Sequence, residues 1–291
     1  LTFATALVAV SGSLGIIIPP SIPYIMYCNA SGASISELFL AGFLPGVLIA
    51  LCLMVYSYIY CKIHGEDKDK LNAKCMELRA KGLGTVLKEG FWALMSPVII
   101  LGGIYGGICS PTEAATISIF YSLIVSLFIY RTIKIRDLPK IMLEGIHSYA
   151  PILIILSAAV AFARVITLMN VATIVSEAVL SAISSKVVIL LLINVLLLFV
   201  GMIMDTGPAI LVFTPVLLPV AEAIGVDPIM CVNLAIGFVT PPMGANLFVA
   251  SNLSKVSVFD IARKAVPFIL AFLIALLLIT FVPQISMFLL Q

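Results

Sequence analysis

The sequence predicts an all-α polytopic membrane protein of inverted-topology repeats, with broken helices and a re-entrant hairpin. Three observations predict it. Of the 291 residues, 62% are hydrophobic and 10% charged, and mean hydropathy is +1.23, which no soluble domain matches. Apolar stretches of bilayer-spanning length recur along the chain. Two of these stretches are interrupted by adjacent prolines, and the two interruptions align at an offset of 222 residues. The formal net charge of +2 gives no support for nucleic acid as a partner. The lipid bilayer is the partner this composition demands.

The elements follow in order. Residues 1–27 are apolar and broken at Pro19-Pro20. Residues 38–61 form the next span, and these 61 residues close a first repeat. Residues 62–90 are charged, and "KLNAKCMELRAKG" has the pattern of an amphipathic interfacial helix. Spans 91–109 and 112–130, separated by "SPTEA", are scaffold helices in a segment that runs to residue 147 with its cytoplasmic connection. A second repeat covers 148–291. It holds a helix at 149–168, a hairpin at 187–225, a broken helix at 229–250 and a last helix at 265–290.

Charge position orients the spans. Seven of the sixteen Lys and Arg residues lie from Lys62 to Lys88 and four from Arg131 to Lys140, so both segments read as cytoplasmic. Residues 28–37 hold no Lys or Arg and read as external. The segment 251–264, with Lys255, Arg263 and Lys264, reads as cytoplasmic, and the C-terminal "PQISMFLLQ" as external.

Shifting the sequence by 222 residues lays Gly15 on Gly237, Pro19 on Pro241, Pro20 on Pro242 and Pro45 on Pro267. Capping boxes follow each break, at Ser34…Glu37 and Ser257…Asp260. By the charge pattern the two broken helices run in opposite directions, a feature of many secondary transporters. A proline cannot donate to the carbonyl four residues back. Pro19 and Pro241 therefore free the carbonyls of Gly15 and Gly237, and the second prolines free those of Ile16 and Phe238. Glycine also permits the backbone to aim its carbonyl off axis. Free carbonyls at membrane depth persist only where water, protein or a cation satisfies them. Without a nearby carboxylate they suit a monovalent hard cation such as Na⁺ better than Ca²⁺. The competing reading is a plain kink satisfied by Ser or Thr side chains.

Other polar groups in apolar surroundings carry alternatives. Asp205, in "DTGP" at the hairpin tip, is either an intramembrane functional acid or a helix N-cap. Pro215 and Pro219 interrupt the hairpin's second arm. Arg164 pairs with Asp205, snorkels to an interface, or holds a substrate carboxylate. Glu113 belongs to a capping box, Ser110-Pro111-Thr112-Glu113. Asn246, just past the second break, is a stronger candidate than Asn194. The six cysteines are scattered with no C-x-x-C pair, and His64 and His147 stand apart. Neither a disulfide framework nor a metal cluster is expected. An intramembrane enzyme built on Asp205 lacks a second catalytic group at its depth. A channel would show conductance far above carrier turnover.

The stretches "GSLGIIIPPSIPYIMY", "SELFLAGFLPGVL", "GGIYGGICSPTEAA", "DTGPAILVFTPVLLPVAEAIGVDPI" and "GFVTPPMGANLFVASNLSKVS" together resemble the large membrane subunit of tripartite ATP-independent periplasmic (TRAP) transporters, over nearly the whole chain. The resemblance implies an elevator-type secondary transporter in the bacterial inner membrane. It implies Na⁺-driven uptake of an organic anion of the sialic acid or C4-dicarboxylate type. It also implies two partners: a periplasmic substrate-binding protein and a small four-helix membrane subunit, separate or fused. The alternative is a binding-protein-independent Na⁺- or H⁺-coupled carboxylate transporter. The resemblance places Na⁺ at Gly15, Ile18 and Pro19 in the first repeat, and at Gly237, Thr240 and Met243 in the second, with Gly207 at the hairpin tip. Arg164, Asp205, Ser21 and Asn246 are the substrate candidates. The family carries a first hairpin ahead of the first broken helix. This chain begins where that hairpin would have ended, so part of the first ion site and of the substrate site is expected to lie upstream.

Overall fold

The computed structural model describes residues 2–65, 76, 82–225 and 245–290. Among these residues it is helical throughout its regular structure, and eight helical segments are long and apolar enough to cross a membrane. The chain divides into two compact units, one of residues 1–57 and 152–291, the other of residues 58–151.

The first unit opens with helix α1 (Thr2–Ser11), the single turn α2 (Leu14–Ile17) and helix α3 (Ile22–Ser31). Helix α4 (Ile35–His64) follows without interruption through Pro45. The unit resumes within helix α7 (Leu138–Leu168) and adds α8 (Val171–Ala182), α9 (Lys186–Ile203) and α10 (Thr206–Ala223). It ends with α11 (Ala245–Ser254), α12 (Val258–Phe281) and the short α13 (Gln284–Met287). Helix α1 packs on α12 and α11, while α10 packs on α3 and α8.

Small residues line the first of these seams: Ala6, Ala9, Ala265 and Ala275 are at most 3% exposed. In lipid, where apolar burial drives little association, small side chains let helices approach closely enough for dispersion to act. One aromatic knot fills the remaining space. Phe268 is fully buried and meets Tyr56 edge-on at 4.6 Å and Phe3 at 5.3 Å between ring centroids.

The second unit contains α5 (Leu83–Tyr105) and α6 (Pro111–Ile124). They pair antiparallel through a ladder of polar contacts. Tyr130 donates to the Glu89 carbonyl, Tyr121 donates to the Trp92 carbonyl at 2.7 Å, and the Ser96 and Ser118 hydroxyls meet at 3.1 Å. The connection is tight: a Cβ on Gly103 would lie 2.5 Å from Cys109 Sγ, and Gly107 is left-handed at φ +65°. A π-helical turn, Val125–Ile129, closes α6. Because a hydrogen bond between helices in a membrane contributes ~0.6 kcal/mol, Tyr121→Phe should lower thermal stability only slightly. Tyr121→Phe combined with Tyr130→Phe should lower it by about the sum, measured as melting in detergent.

The three expected capping boxes differ in outcome. The capping box at Ser110 forms in full, with Glu113 N–H donating to Ser110 Oγ and Ser110 N–H donating to the Glu113 carboxylate at 2.7 Å. At Ser34 the hydroxyl accepts from Glu37 N–H at a long 3.5 Å. At Ser257 the N-cap position is right, but the side chain makes no capping bond. There the first turn is tighter, and Asp260 N–H donates instead to the Ser257 carbonyl at 3.1 Å.

Pro215 and Pro219 do not interrupt α10, which runs continuously through both. The ladder bonds they remove are few, and packing on α3 and α8 holds the helix axis. Helix α8 has no counterpart among the predicted spans. Its 12 residues are too short for a bilayer-length window, and Ser176, Glu177 and Ser181 dilute its apolar character.

Candidate functional site

The first break is where the sequence places it. Helix α2 ends at Ile17, and Ile18 turns extended (φ −79°, ψ 126°) while its N–H still reaches the Leu14 carbonyl at 2.8 Å. Pro19 and Pro20 follow, joined by a cis peptide bond, and Ser21 (φ −129°, ψ 124°) starts α3. With proline at position 19, the Gly15 carbonyl receives no hydrogen bond among the described residues. Gly15 itself is helical with φ negative, so its conformational freedom is not used. Its small size is not required either, since a Cβ there would meet nothing within 4 Å.

The second freed carbonyl behaves differently. Ser21, 2% exposed, donates its hydroxyl to the Ile16 carbonyl. The Ser/Thr-satisfied kink and the open carbonyl thus coexist, one at Ile16 and the other at Gly15. Among the described residues the Gly15 carbonyl is left as an acceptor without a donor, a hard neutral oxygen of the kind Na⁺ takes.

Two glycines of α4 hold this break in place. A Cβ on Gly46 would lie 2.6 Å from Ile18 Cγ1, and one on Gly42 would lie 2.4 Å from Tyr24 Cε2. Ile18 and Tyr24, on either side of the prolines, therefore seat directly on the α4 backbone. Tyr24 is further held against Phe39 at 6.2 Å. The signal was visible in the sequence as Gly-x-x-x-Gly in "GFLPG" within an apolar span.

The hairpin tip lies between α9 and α10. Asp205 is the N-cap of α10, with its carboxylate accepting from Thr206 N–H at 2.7 Å, and its side chain is exposed. Gly207 packs against α3 and α7, its Cβ position being 3.3 Å from both Met26 Cε and Leu156 Cδ2. Arg164 is exposed on α7, and no ion pair joins it to Asp205. Asn194 is structural: 6% exposed, it donates from Nδ2 to Thr280 Oγ1 at 3.1 Å.

Asn246, near the start of α11, packs over the Gly12–Ser13 turn between α1 and α2. Its Nδ2 is 3.2 Å from the Cβ position of Gly12. Neither that Nδ2 nor the buried Ser13 hydroxyl has a hydrogen-bond partner among the described residues. The second repeat thus touches the first beside its break. Gly237, Thr240, Met243 and the second proline pair lie outside the described residues, as do residues 66–75 and 77–81 of the segment 62–90 expected to be interfacial.

Comparison with known proteins gives these features a family. The family model "Tripartite ATP-independent periplasmic transporter, DctM component" matches residues 1–285. The isethionate TRAP transporter permease protein DctMQ of Oleidesulfovibrio alaskensis is 42% identical over 98% of this chain and 45% of its own length. The C4-dicarboxylate TRAP transporter large permease protein DctM of Pseudomonas aeruginosa is 36% identical over 98% of the chain and 66% of its own. The sialic acid TRAP transporter large permease protein SiaM of Vibrio cholerae is 34% identical over 99% and 67%. The chain spans about half to two thirds of the length of these relatives. It belongs to the DctM family of tripartite ATP-independent periplasmic transporter components, as a multi-pass inner-membrane protein.

Proposed function

We propose that this chain supplies the Na⁺-binding core of a secondary transporter that takes up a small organic anion. The observation that carries the reading is the break at Ile18–Ser21, which leaves the Gly15 carbonyl without a donor at the centre of an apolar helix. A cation there satisfies a group that lipid cannot. The matching sequence at Gly237, Thr240 and Met243, with Gly207 at the hairpin tip, supplies a second ion site. Na⁺ moving down its gradient then drives the anion inward by alternating access of the elevator type.

The relatives' names support the substrate class. Isethionate, C4-dicarboxylates and sialic acid are all small organic anions carrying a sulfonate or carboxylate. Arg164 is exposed about one turn before the end of α7, and its guanidinium fits either group in a bidentate fork. Asp205 caps a helix and repels an anion, so it acts on the substrate only through the position of the tip. Ser21 shapes the break, and Asn246 reaches it from the second repeat. A periplasmic binding protein delivers the anion, and a small four-helix membrane subunit completes the assembly.

The test is uptake by the complete transporter in proteoliposomes with its binding protein. Replacing Na⁺ by choline should reduce uptake to background, and so should omitting the binding protein. Uptake that persists in choline rejects the coupling. Uptake without the binding protein favours a self-sufficient carrier instead.

A further inference from the structure

A cavity of about 920 Å³ lies within the first unit. It is walled by α9, α10 and α12, together with the end of α3 and the turn that follows it. Residues Ser31–Ala33, Lys186, Gly225 and Pro283 all border it. The charge pattern assigns residues 28–37 and the C-terminus to the outer face, so the mouth opens at the outer leaflet.

Its chemistry is divided by depth. The inner walls are Leu190, Ile193, Leu197, Leu217, Leu276 and Ile279. Three polar side chains along the walls are already committed. Asn194 donates to Thr280, Thr280 Oγ1 donates to the Leu276 carbonyl at 2.8 Å, and Ser31 Oγ donates to the Tyr27 carbonyl at 2.8 Å. A polar solute entering this depth would lose its water to walls that are mostly apolar.

The mouth carries one charge of each sign. Lys186 donates to the Gly225 carbonyl at 3.1 Å, which anchors its ammonium across the base of the hairpin with further donors to spare. Glu222, exposed, borders the same cavity one turn before Gly225. No ion pair between them exists among the described residues, so each remains open to an outside partner.

Depth matches as well. Lys186 and Leu197, both lining the cavity, are separated along α9 by ~16 Å at the helical rise. That is about half of a ~30 Å hydrocarbon core, the reach of one leaflet. We infer that this cavity is a phospholipid site: one acyl chain of an outer-leaflet lipid fills it, and a zwitterionic phosphoethanolamine headgroup sits at the mouth, phosphate on Lys186 and ammonium on Glu222. The site is separate from the cation site and does not depend on Na⁺ coupling.

Native mass spectrometry of the complete transporter, released from membranes in mild detergent and exchanged against defined lipids, tests this. The parent protein should retain phosphatidylethanolamine in preference to phosphatidylglycerol. Ala221→Trp, which puts an indole into the cavity, should abolish retention. Lys186→Gln should weaken retention of both lipids about threefold, the effect of losing one exposed charge contact. Glu222→Gln should reduce the ethanolamine preference by a similar factor and leave glycerol lipid bound. Lys186 and Glu222 are exposed and their variants fold whatever Ala221→Trp does. Absence of retained lipid in the parent, equal retention in Ala221→Trp, or an unchanged lipid preference in Glu222→Gln overturns the assignment. Filling of the cavity by another segment of the complete protein would give the first of these results.

Discussion

Gly42→Ala should destabilise the transporter by ~1–3 kcal/mol, the range for forcing one methyl into a packed interior. The reason is specific. The added Cβ would lie 2.4 Å from Tyr24 Cε2 and 2.5 Å from its hydroxyl oxygen. Tyr24 is 3% exposed and held against Phe39, so it has little room to give. The pressure must pass into α3 and from there into the break. Gly46→Ala presses on Ile18 Cγ1 at 2.6 Å, one residue before the proline pair. Gly42→Ala should therefore lower the melting temperature most, while Gly46→Ala should also raise the Na⁺ concentration for half-maximal uptake. Tyr24→Ala made together with Gly42→Ala should recover part of the lost stability, as a double-mutant cycle reads it. Melting of Gly42→Ala together with the parent would show that α4 does not seat the break.

These two glycines mark the boundary of what the sequence disclosed. Spans of bilayer length were legible because each backbone group in lipid must be satisfied within its own helix. The break was legible because proline acts locally. The Ser110 capping box was legible for the same reason, its partners being three residues apart. Features set by tertiary packing were not. Proline alone suggested that α10 breaks at Pro215 and Pro219, yet contacts with α3 and α8 carry the helix through both. The seat for Tyr24 and Ile18 requires knowing that α4 lies against α3, although Gly-x-x-x-Gly advertised a close approach by something. The same holds for α8, whose 12 residues become recognisable only beside α10.

The candidate site divides along similar lines. The sequence pointed to Gly15, and its carbonyl is the one left without a donor. It also pointed to Ile16, and there a side chain five residues on supplies the bond. Asp205 makes the capping bond, which needed only its neighbour Thr206. Asn246 was singled out as a polar group in an apolar span. That it rests on Gly12 of the other repeat depends on how α11 crosses α1.

The difference between the two carbonyls gives the second large effect. Pro19→Ala returns an N–H to the position that can bond Gly15, so the helix can heal across the break and the cation loses its oxygen. Pro20→Ala offers its N–H to Ile16, whose carbonyl Ser21 already occupies, so it should do much less. The direct measurement is the Na⁺ dependence of substrate uptake by the complete transporter in proteoliposomes, with Pro97→Ala in α5 as a proline control outside the break. Half-maximal Na⁺ should rise about tenfold or more in Pro19→Ala, equivalent to ~1.4 kcal/mol of lost cation affinity, with a smaller rise in Pro20→Ala and none in Pro97→Ala. A Pro19→Ala transporter that folds and whose Na⁺ curve superimposes on the parent's would contradict the assignment of the ion to the Gly15 break.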